Sequence, residues 1–230
     1  MKDIIEQNKA SLVIFARYPE KGRVKTRLAK TLGAEKATEF YRLCAEHLFR
    51  ETEKLPPEIE RYLYYDGVEN EKELREWAGG SLAYCAQVAG GLGQRLENAF
   101  SAQFSWGAER VVAVSSDVPD ISSSIISEAF RLLEGHEMVI GPCHDGGYYL
   151  IGMNRMHREI FKGIPWSTGR VYAQTLAKIN QLAISLRRLP RLRDIDTGDD
   201  FQQWAETAIA SGSVPWGNLL TGGGTIEYKG

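Results

Sequence analysis

One stretch, from Leu12 to Leu28, limits the possible folds more than any other part of this sequence. It begins with the apolar run Leu12–Phe15, and Pro19 and Gly22 then interrupt regular structure. After the apolar run, the stretch contains five cationic residues: Arg17, Lys21, Arg23, Lys25 and Arg27. The pattern predicts a buried strand, a basic loop and a helix that begins near Val24. Many α/β proteins bind phosphate in this way, because helix N–H groups and cationic side chains converge on one anion.

The basic loop alone supports two interpretations, a phosphate-binding site and an ordinary solvated surface loop. It lacks the second glycine and the Gly-Lys-Ser/Thr ending of a P-loop, and it does not match G-x-G-x-x-G. The loop therefore belongs to neither of these two nucleotide-binding motifs.

The overall composition narrows the class of protein. The chain has 230 residues, of which 43% are hydrophobic and 25% charged, and we expect one globular domain over residues 1–210 followed by a tail over 211–230. The net charge of −2 argues against a nucleic-acid partner and suits a small anionic ligand at the basic loop.

The sequence predicts a cytoplasmic protein. The charged N-terminal segment does not have a signal-peptide pattern, and no stretch approaches the ~20 apolar residues of a membrane span. The cysteines Cys44, Cys85 and Cys143 are far apart and odd in number, which is typical of reduced thiols rather than of a disulfide framework or a zinc site. The oligomeric state does not follow from these features.

Strand and helix patterns alternate along the chain after the basic loop. We predict helices over residues 34–54, 69–78, 94–106 and 169–183, and strands over 59–65, 81–88, 110–114, 138–141 and 184–189. This alternation predicts an α/β fold, with helices on both faces of a central, mostly parallel sheet. A flavodoxin-like strand order is the nearest competing arrangement.

A second loop rich in glycine lies between a predicted strand and a predicted helix. It reads Gly90-Gly91-Leu92-Gly93-Gln94-Arg95. The glycines either make a tight turn or let the backbone approach a nucleotide, with Arg95 as a further cation. We therefore name Gly91, Gly93 and Arg95 as candidate nucleotide-binding residues.

Acidic residues follow several of the predicted strands. Asp117 comes after the strand that ends at Val114, where ligands of open α/β sheets bind. Asp145 precedes Gly146 and Gly147, and we expect these glycines to leave room for a substrate. Asp120 is better explained as a turn or cap residue, and a lone loop histidine such as His144 is usually neither a base nor a ligand.

The C-terminal acids divide in the same way. Thr197 and Asp200 have the spacing of a capping box at a helix start, so Asp199 and Asp200 have a structural explanation. Asp196 has none of this kind, and it becomes a candidate metal ligand together with Asp117, because Mg²⁺ and Mn²⁺ prefer carboxylate oxygens.

Five segments together resemble a known family. They are FARYPEKGRVKTRL at 15–28, SSDVPD at 115–120, GPCHDGGYYLIG at 141–152, PWST at 165–168 and DIDTGDD at 194–200. In this order, over about four-fifths of the chain, they resemble bacterial nucleotide-diphospho-sugar-transferase-like proteins of GT-A fold, often described as radical-SAM-associated or arsenosugar-type glycosyltransferases. The layout is more distantly similar to guanylyltransferases and molybdenum-cofactor nucleotidyltransferases.

The resemblance implies a GT-A fold and a role for each candidate residue. Nucleotide phosphates would be bound by Arg17, Gly22, Arg23, Lys25, Thr26, Arg27, Gly91, Gly93 and Arg95, and Mg²⁺ or Mn²⁺ by Asp117 and Asp196. Lys25 and Asp145 would be catalytic, and the acceptor would contact Gly146, Gly147, Tyr148 and Trp166. One departure is that the family usually has Gly-Asp-Leu-Gly-Glu-Arg where this chain has residues 90–95, so no acid acts at that loop.

Two reactions and one non-enzymatic function agree with these residues. In a glycosyltransferase, a nucleotide sugar is the donor and Asp145 deprotonates the hydroxyl of a small acceptor. In a nucleotidyltransferase, a phosphorylated substrate attacks a nucleoside triphosphate and pyrophosphate leaves. The third possibility is a non-catalytic nucleotide sensor, against which Asp117, Asp145 and Asp196 argue. The family resemblance favours glycosyl transfer, and the many cations of the loop favour a triphosphate.

Overall fold

The computed structural model of the protein describes residues 9–66 and 71–211. Its strands are β1 (Ala10–Arg17), β2 (Ile59–Asp66), β3 (Ala83–Ala86), β4 (Arg110–Ser115), β5 (Met138–Pro142), β6 (Tyr148–Met153) and β7 (Leu186–Arg188). Its α-helices are α1 (Ala29–Leu32), α2 (Ala34–Glu53), α3 (Glu71–Ala78), α4 (Leu92–Ser105), α5 (Ser123–Leu132), α6 (Val171–Gln181) and α7 (Gly198–Ser211), and Arg158–Phe161 is a 3₁₀ helix.

The seven strands form one sheet in the order β3-β2-β1-β4-β6-β5-β7. Strand β6 pairs antiparallel with β4 and β5, whereas the other neighbouring strands are parallel. Alternate residues of β1 enter different cores: Leu12 and Ile14 pack with α2, α3 and α5, and Val13 packs with α4 and α6. The prediction of an α/β fold with helices on both faces of a mostly parallel sheet is confirmed.

Contacts divide the chain into two compact units. Of the described residues, the first unit comprises 9–18, 45–66 and 71–194, with the seven strands, and the second comprises 19–44 and 195–211. The second unit has its own apolar core, in which Phe40 of α2 packs against Phe201 and Trp204 of α7, with ring centroids 5.3 and 5.5 Å away. The single domain predicted over residues 1–210 stays a prediction. The predicted tail lies outside the described residues from position 212 onward.

One predicted helix start was wrong. The chain does not become helical near Val24, and α1 begins only at Ala29 and has four residues. The reason lies in Lys25, whose φ of 46° is in the left-handed region and cannot continue a right-handed helix. The basic loop therefore presents its side chains from turns rather than from the first turn of a helix.

The other elements agree with the sequence patterns within a few residues. Strand β3 is shorter than the predicted 81–88, and β7 is shorter than 184–189. Helix α4 begins at Leu92, two residues before the predicted start, and α6 covers less than 169–183. Positions 69 and 70 of the predicted third helix lie outside the described residues. Among the residues that are described, no helix has the length and apolarity to cross a membrane.

Two sets of hydrogen bonds stabilise the N-terminus of helix α5, which follows the loop that contains Asp117. The Ser122 hydroxyl accepts a hydrogen bond from the N–H of Ile125, which caps the helix. The buried carboxylate of Glu51 accepts bonds from the N–H and the hydroxyl of Ser123, at 2.9 and 3.0 Å. Although burial opposes it, hydrogen bonding to Lys54 and Ser123 lowers the pKa of Glu51 to about 2. Its charged form therefore fixes the start of α5.

Candidate functional site

The carboxyl ends of β1, β2 and β4 bring several candidate residues to one edge of the sheet. Arg17 at the end of β1 lies in register with Asp66 at the end of β2. Phe15 of β1 is in register with Ser115, the last residue of β4, and Asp117 follows two residues later. This edge is where open α/β sheets bind their ligands.

The cation of the glycine loop is fixed within this edge. The Arg95 guanidinium donates to Asp66 Oδ2 at 2.5 Å, to Gln87 Oε1 at 2.9 Å and to the Gly90 carbonyl at 2.9 Å. Arg17 Nε lies 3.6 Å from the same carboxylate oxygen of Asp66. Arg95 therefore holds the loop against β2, and its side chain is only 22% exposed.

Each glycine of that loop has a different structural role. Gly90 has a φ of 117°, and a Cβ there would lie 2.2 Å from Oε1 of Gln94, which accepts the Gly91 N–H at 3.1 Å. A Cβ at Gly93 would lie 2.2 Å from Nε1 of Trp166. A Cβ at Gly91 would meet no atom within 4 Å. Gly91 is thus the position of this loop that a nucleotide can approach.

The basic loop lies in the second unit and is anchored by apolar residues. Val24 and Leu28 are buried, at 4% and 0% exposure, whereas Lys21, Arg23 and Arg27 are between 62% and 67% exposed. These cations have carboxylate partners: Lys21 pairs with Glu35 at 3.2 Å, Arg23 with Glu20 at 3.0 Å and Arg27 with Asp196 at 2.9 Å. Exposed pairs of this kind are weak and exchange readily for a phosphate.

Asp196 therefore has a partner within its own unit, the guanidinium of Arg27. The capping box predicted next to it is present: Asp200 Oδ2 accepts the N–H and the hydroxyl of Thr197, at 2.9 and 2.6 Å, and Thr197 Oγ1 accepts the Asp200 N–H at 3.2 Å. Asp117 in the first unit is half-buried and accepts a hydrogen bond from the Ser115 hydroxyl at 3.3 Å.

Asp145 lies at the exposed tip of the turn between β5 and β6. Its Oδ1 accepts the Gly147 N–H at 2.9 Å, which fixes the carboxylate at the surface of the turn. Gly146, with φ 88°, packs against the backbone of Gly169, since a Cβ there would lie 2.1 Å from the Gly169 carbonyl. The space beside Gly146 is therefore filled by protein, and only the exposed side of the turn remains for a substrate.

The two aromatic candidates contact each other beside this turn. Tyr148 and Trp166 have ring centroids 6.3 Å apart at an interplanar angle of 81°. Trp166 also covers Gly93 at the start of α4. The indole thus connects the predicted nucleotide loop with the predicted acceptor residues.

A group of carboxylates surrounds Cys143, at the base of the Asp145 turn. Burial, followed by the charges of Asp194, Asp145 and Asp117, raises the pKa of the Cys143 thiol. Leu192 pairs in parallel with Cys143, which places Asp194 alongside Asp145. These three aspartates therefore share one region of the first unit.

The carboxylates of the site suit a divalent cation only in combination with other ligands. Among residues 9–66 and 71–211, no three side chains of His, Cys, Asp or Glu form a ready metal site. Hard cations such as Mg²⁺ and Mn²⁺ typically take one or two carboxylates and complete their shell with substrate phosphates and water. The donor set around Asp117 fits that mode of binding.

Sequence analysis missed three residues of this region, Asp66, Gln87 and Asp194. Asp66 and Gln87 belong to strand ends that carry no motif, and only the register of β2 reveals their role. Asp194 had a signal, because it lies two residues before Asp196 in an extended segment, where alternate side chains share a face.

The model of the family DUF2064, described as uncharacterized protein conserved in bacteria, matches residues 52–168, a little over half of the 230-residue chain. No curated protein matches the sequence. A crystal structure of a provisional nucleotide-diphospho-sugar transferase from Desulfovibrio desulfuricans G20 is similar over 92% of this chain and 93% of its own, with 30% identity and a TM-score of 0.86.

Two more distant structures share the fold. A nucleotidyl transferase from Methanothermobacter aligns with 89% of this chain and 99% of its own, at 13% identity and a TM-score of 0.57. Glucosyl-3-phosphoglycerate synthase from Mycobacterium tuberculosis, in complex with Mn²⁺, UDP and glucosyl-3-phosphoglycerate, aligns over 88% and 78%, at 15% identity and a TM-score of 0.50. The predicted nucleotide-diphospho-sugar transferase fold is confirmed.

Proposed function

This chain belongs to the DUF2064 family, and we propose that it is a metal-dependent transferase that moves a glycosyl group from a nucleotide sugar to a small acceptor. The proposal agrees with the provisional assignment of the 30%-identical Desulfovibrio protein. A link to radical-SAM or arsenosugar chemistry stays a prediction from the resemblance. The cytoplasmic location and the absence of a nucleic-acid partner stay predictions from the composition and charge of the sequence.

The observation that carries the proposal is the basic loop. Buried Val24 and Leu28 fix its backbone, and its cations extend from it into solvent. A nucleoside diphosphate leaving group gains negative charge as the glycosyl bond breaks, and cations fixed in advance stabilise that charge. Lys25 is half-buried between Arg23 and Arg27 in the sequence, and we assign it to the leaving phosphate.

The metal belongs near the carboxylates of the first unit. Asp117 would hold Mg²⁺ or Mn²⁺ together with donor phosphate oxygens, as its half-buried carboxylate at the sheet edge suggests. When bound, such an ion neutralises charge on the diphosphate. Mn²⁺ is present in the synthase complex from Mycobacterium tuberculosis, which supports a divalent ion of this type here. Asp196 as a further ligand stays a prediction.

Asp145 is the proposed base. Its carboxylate is exposed at the turn and is oriented by the Gly147 N–H, so an acceptor hydroxyl can reach its second oxygen. Tyr148 and Trp166 form the apolar wall beside it. The base would take the hydroxyl proton as the acceptor oxygen attacks the sugar.

Nucleotidyl transfer is the second candidate. The number of cations on the basic loop suits a triphosphate, and the nucleotidyl transferase from Methanothermobacter has the same fold. In that reaction the nucleophile is an ionised phosphate, which needs no base. Asp145 would then have no catalytic role.

A thermal-shift screen tests donor binding directly. Nucleotide sugars and nucleoside triphosphates with five different bases are mixed with the protein, with Mg²⁺, with Mn²⁺ or with EDTA. A ligand that binds the native state raises its melting temperature by mass action. We expect a shift with a nucleotide sugar that disappears in EDTA. A metal-independent shift would remove the metal from the proposal, and no shift with any nucleotide would overturn it.

The Asp145→Asn variant separates the two reactions once a donor is known. For glycosyl transfer we expect turnover to fall roughly 10²- to 10⁴-fold with unchanged donor affinity. Glu109→Gln, an exposed carboxylate at the opposite edge of the sheet, is the matched control. Full activity of Asp145→Asn with stoichiometric pyrophosphate release would establish nucleotidyl transfer instead.

A further inference from the structure

We infer that the acceptor carries a phosphate group, and that Arg170 and Arg191 bind this phosphate beside the Asp145 turn. The inference rests on the proposed function, because it identifies the chemical class of the acceptor at the same site. It assigns a role to two arginines that belong to none of the motifs of the sequence.

Arg191 contacts the turn directly. Its Nη1 donates to the Cys143 carbonyl at 2.8 Å, two residues before Asp145. Its guanidinium carbon lies 5.8 Å from the centroid of the Tyr172 ring. These two contacts keep the exposed guanidinium at the base of the turn, with further N–H groups available to a ligand.

Arg170 lies next to the turn, just before helix α6. It directly precedes Val171, the first residue of α6, and directly follows Gly169, whose backbone packs against Asp145 and Gly146. Tyr172 in the first turn of the helix donates its N–H to the Gly146 carbonyl at 2.9 Å. Arg170 is therefore attached to the same turn as Arg191, and its side chain is exposed.

Among the described residues, Arg170 and Arg191 are not held in ion pairs, although acidic residues lie at the same turn. Within the described parts of the chain, neither Arg170 nor Arg191 forms an ion pair with a carboxylate. The adjacent segment adds more positive charge, since four of the seven residues from Arg187 to Arg193 are arginines. Asp145 and Asp194 lie at the same turn but form no ion pair with Arg170 or Arg191, so the remaining N–H groups of both arginines are available to an anionic ligand.

The chemistry favours a phosphate over a carboxylate. Two planar guanidinium groups offer paired N–H donors, and a phosphate ester supplies three terminal oxygens and close to two charges. A phosphate fixed there would bring a hydroxyl of the same molecule towards Asp145. The donor's own phosphates are assigned to the basic loop of the second unit, so the two anion sites use different residues.

Calorimetric titration with inorganic phosphate tests the site without a known acceptor. The Lys25→Ala protein serves as the background, because it weakens the basic loop. In this background we expect phosphate to bind, and Arg170→Gln to weaken that binding about 10- to 100-fold. Lys178→Gln makes the same change of charge at the other end of α6, and we expect less than a twofold effect.

Several results would overturn the inference. One is a Lys25→Ala protein that does not bind phosphate, and another is an equal loss in the Arg170→Gln and Lys178→Gln proteins. Acetate binding as tightly as phosphate would indicate a carboxylate ligand. Duplex DNA binding at far lower concentrations, with the same dependence on Arg170, would assign the arginines to a polyanion. Phosphate binding in a protein that binds no nucleotide would refute the proposed function while confirming this anion site.

Discussion

The basic loop of residues 19–28 and the glycine loop of residues 90–95 look alike in the sequence, but they keep their shape in opposite ways. The basic loop is anchored by buried Val24 and Leu28, and three of its cations are more than 60% exposed. The glycine loop is anchored by its own cation, because Arg95 bonds to Asp66, Gln87 and Gly90. In the first loop charge is available to a ligand, and in the second it maintains structure.

Because the two loops differ in this way, a cation beside a glycine in the sequence does not by itself indicate phosphate binding. Both loops follow a strand, contain glycine and carry arginine, so both predicted phosphate binding. A guanidinium that already makes three hydrogen bonds has few donors left for a ligand. Arg95 is thus better described as a positioning residue for the backbone around Gly91.

The largest expected effect comes from Gly90→Ala. The substitution imposes a Cβ on a φ of 117° and displaces Gln94 from the Gly91 N–H, so we expect unfolding free energy to fall by about 2–4 kcal/mol. Gly22→Ala is the matched change in the basic loop, at a φ of 81° with no atom within 4 Å, and should cost only about 1–2 kcal/mol. Urea denaturation measures both, and equal losses would mean that the loops do not differ in this way.

The second prediction concerns Lys25, the half-buried lysine of the basic loop. Lys25→Ala should weaken binding of the nucleotide that stabilises the protein most by about 1.5–3 kcal/mol, because it removes a charge-assisted phosphate contact. Binding of the free nucleoside and the melting temperature should stay unchanged. Lys36→Ala, an exposed lysine on α2, is the control. If calorimetry shows the same loss for nucleotide and nucleoside, Lys25 does not contact phosphate.

The third prediction concerns Arg95, for which we expect a loss of stability rather than a specific loss of nucleotide affinity. Arg95→Gln should lower unfolding free energy by about 1–2 kcal/mol, because Asp66 and the Gly90 carbonyl lose their donor. Arg131→Gln, which breaks an exposed pair with Glu128 on α5, should leave stability unchanged within error. A normal melting temperature for Arg95→Gln together with a nucleotide-specific loss of affinity would show that Arg95 is a ligand residue after all.

The sequence predicted most of the fold, and the reasons are local. Periodic apolar residues and turn signals specify the strands and most helices within a few positions, and Thr197 and Asp200 specify a cap. The helix start near Val24 was wrong because a left-handed Lys25 has no signature in the sequence. Apolar alternation could not show that the buried side chains of Val24 and Leu28 anchor this loop.

The candidate site was less predictable, because its geometry depends on contacts between distant segments. The carboxylate of Asp66 binds Arg95 across 29 positions of sequence, and Arg191 binds the Cys143 carbonyl across 48. Such contacts follow from strand register, which a single sequence does not specify. The space expected beside Gly146 is occupied by Gly169 for the same reason.

The smallest expected effect is on Asp196, the only candidate metal ligand that lies in the second unit. Its pair with Arg27 is exposed, so Asp196→Asn should change unfolding free energy by at most about 1 kcal/mol.

Nucleotide affinity then distinguishes two roles of Asp196. If Asp196 only holds Arg27, its loss releases a cation and strengthens nucleotide binding by a similar amount with or without metal. If Asp196 also binds the metal ion, the nucleotide affinity of the variant falls in the presence of Mg²⁺ or Mn²⁺ and rises slightly in EDTA. Asp199→Asn is the same change at an exposed position in the first turn of α7, and it should alter nucleotide affinity neither with metal nor in EDTA. A loss of affinity in EDTA as well as in metal would contradict both roles.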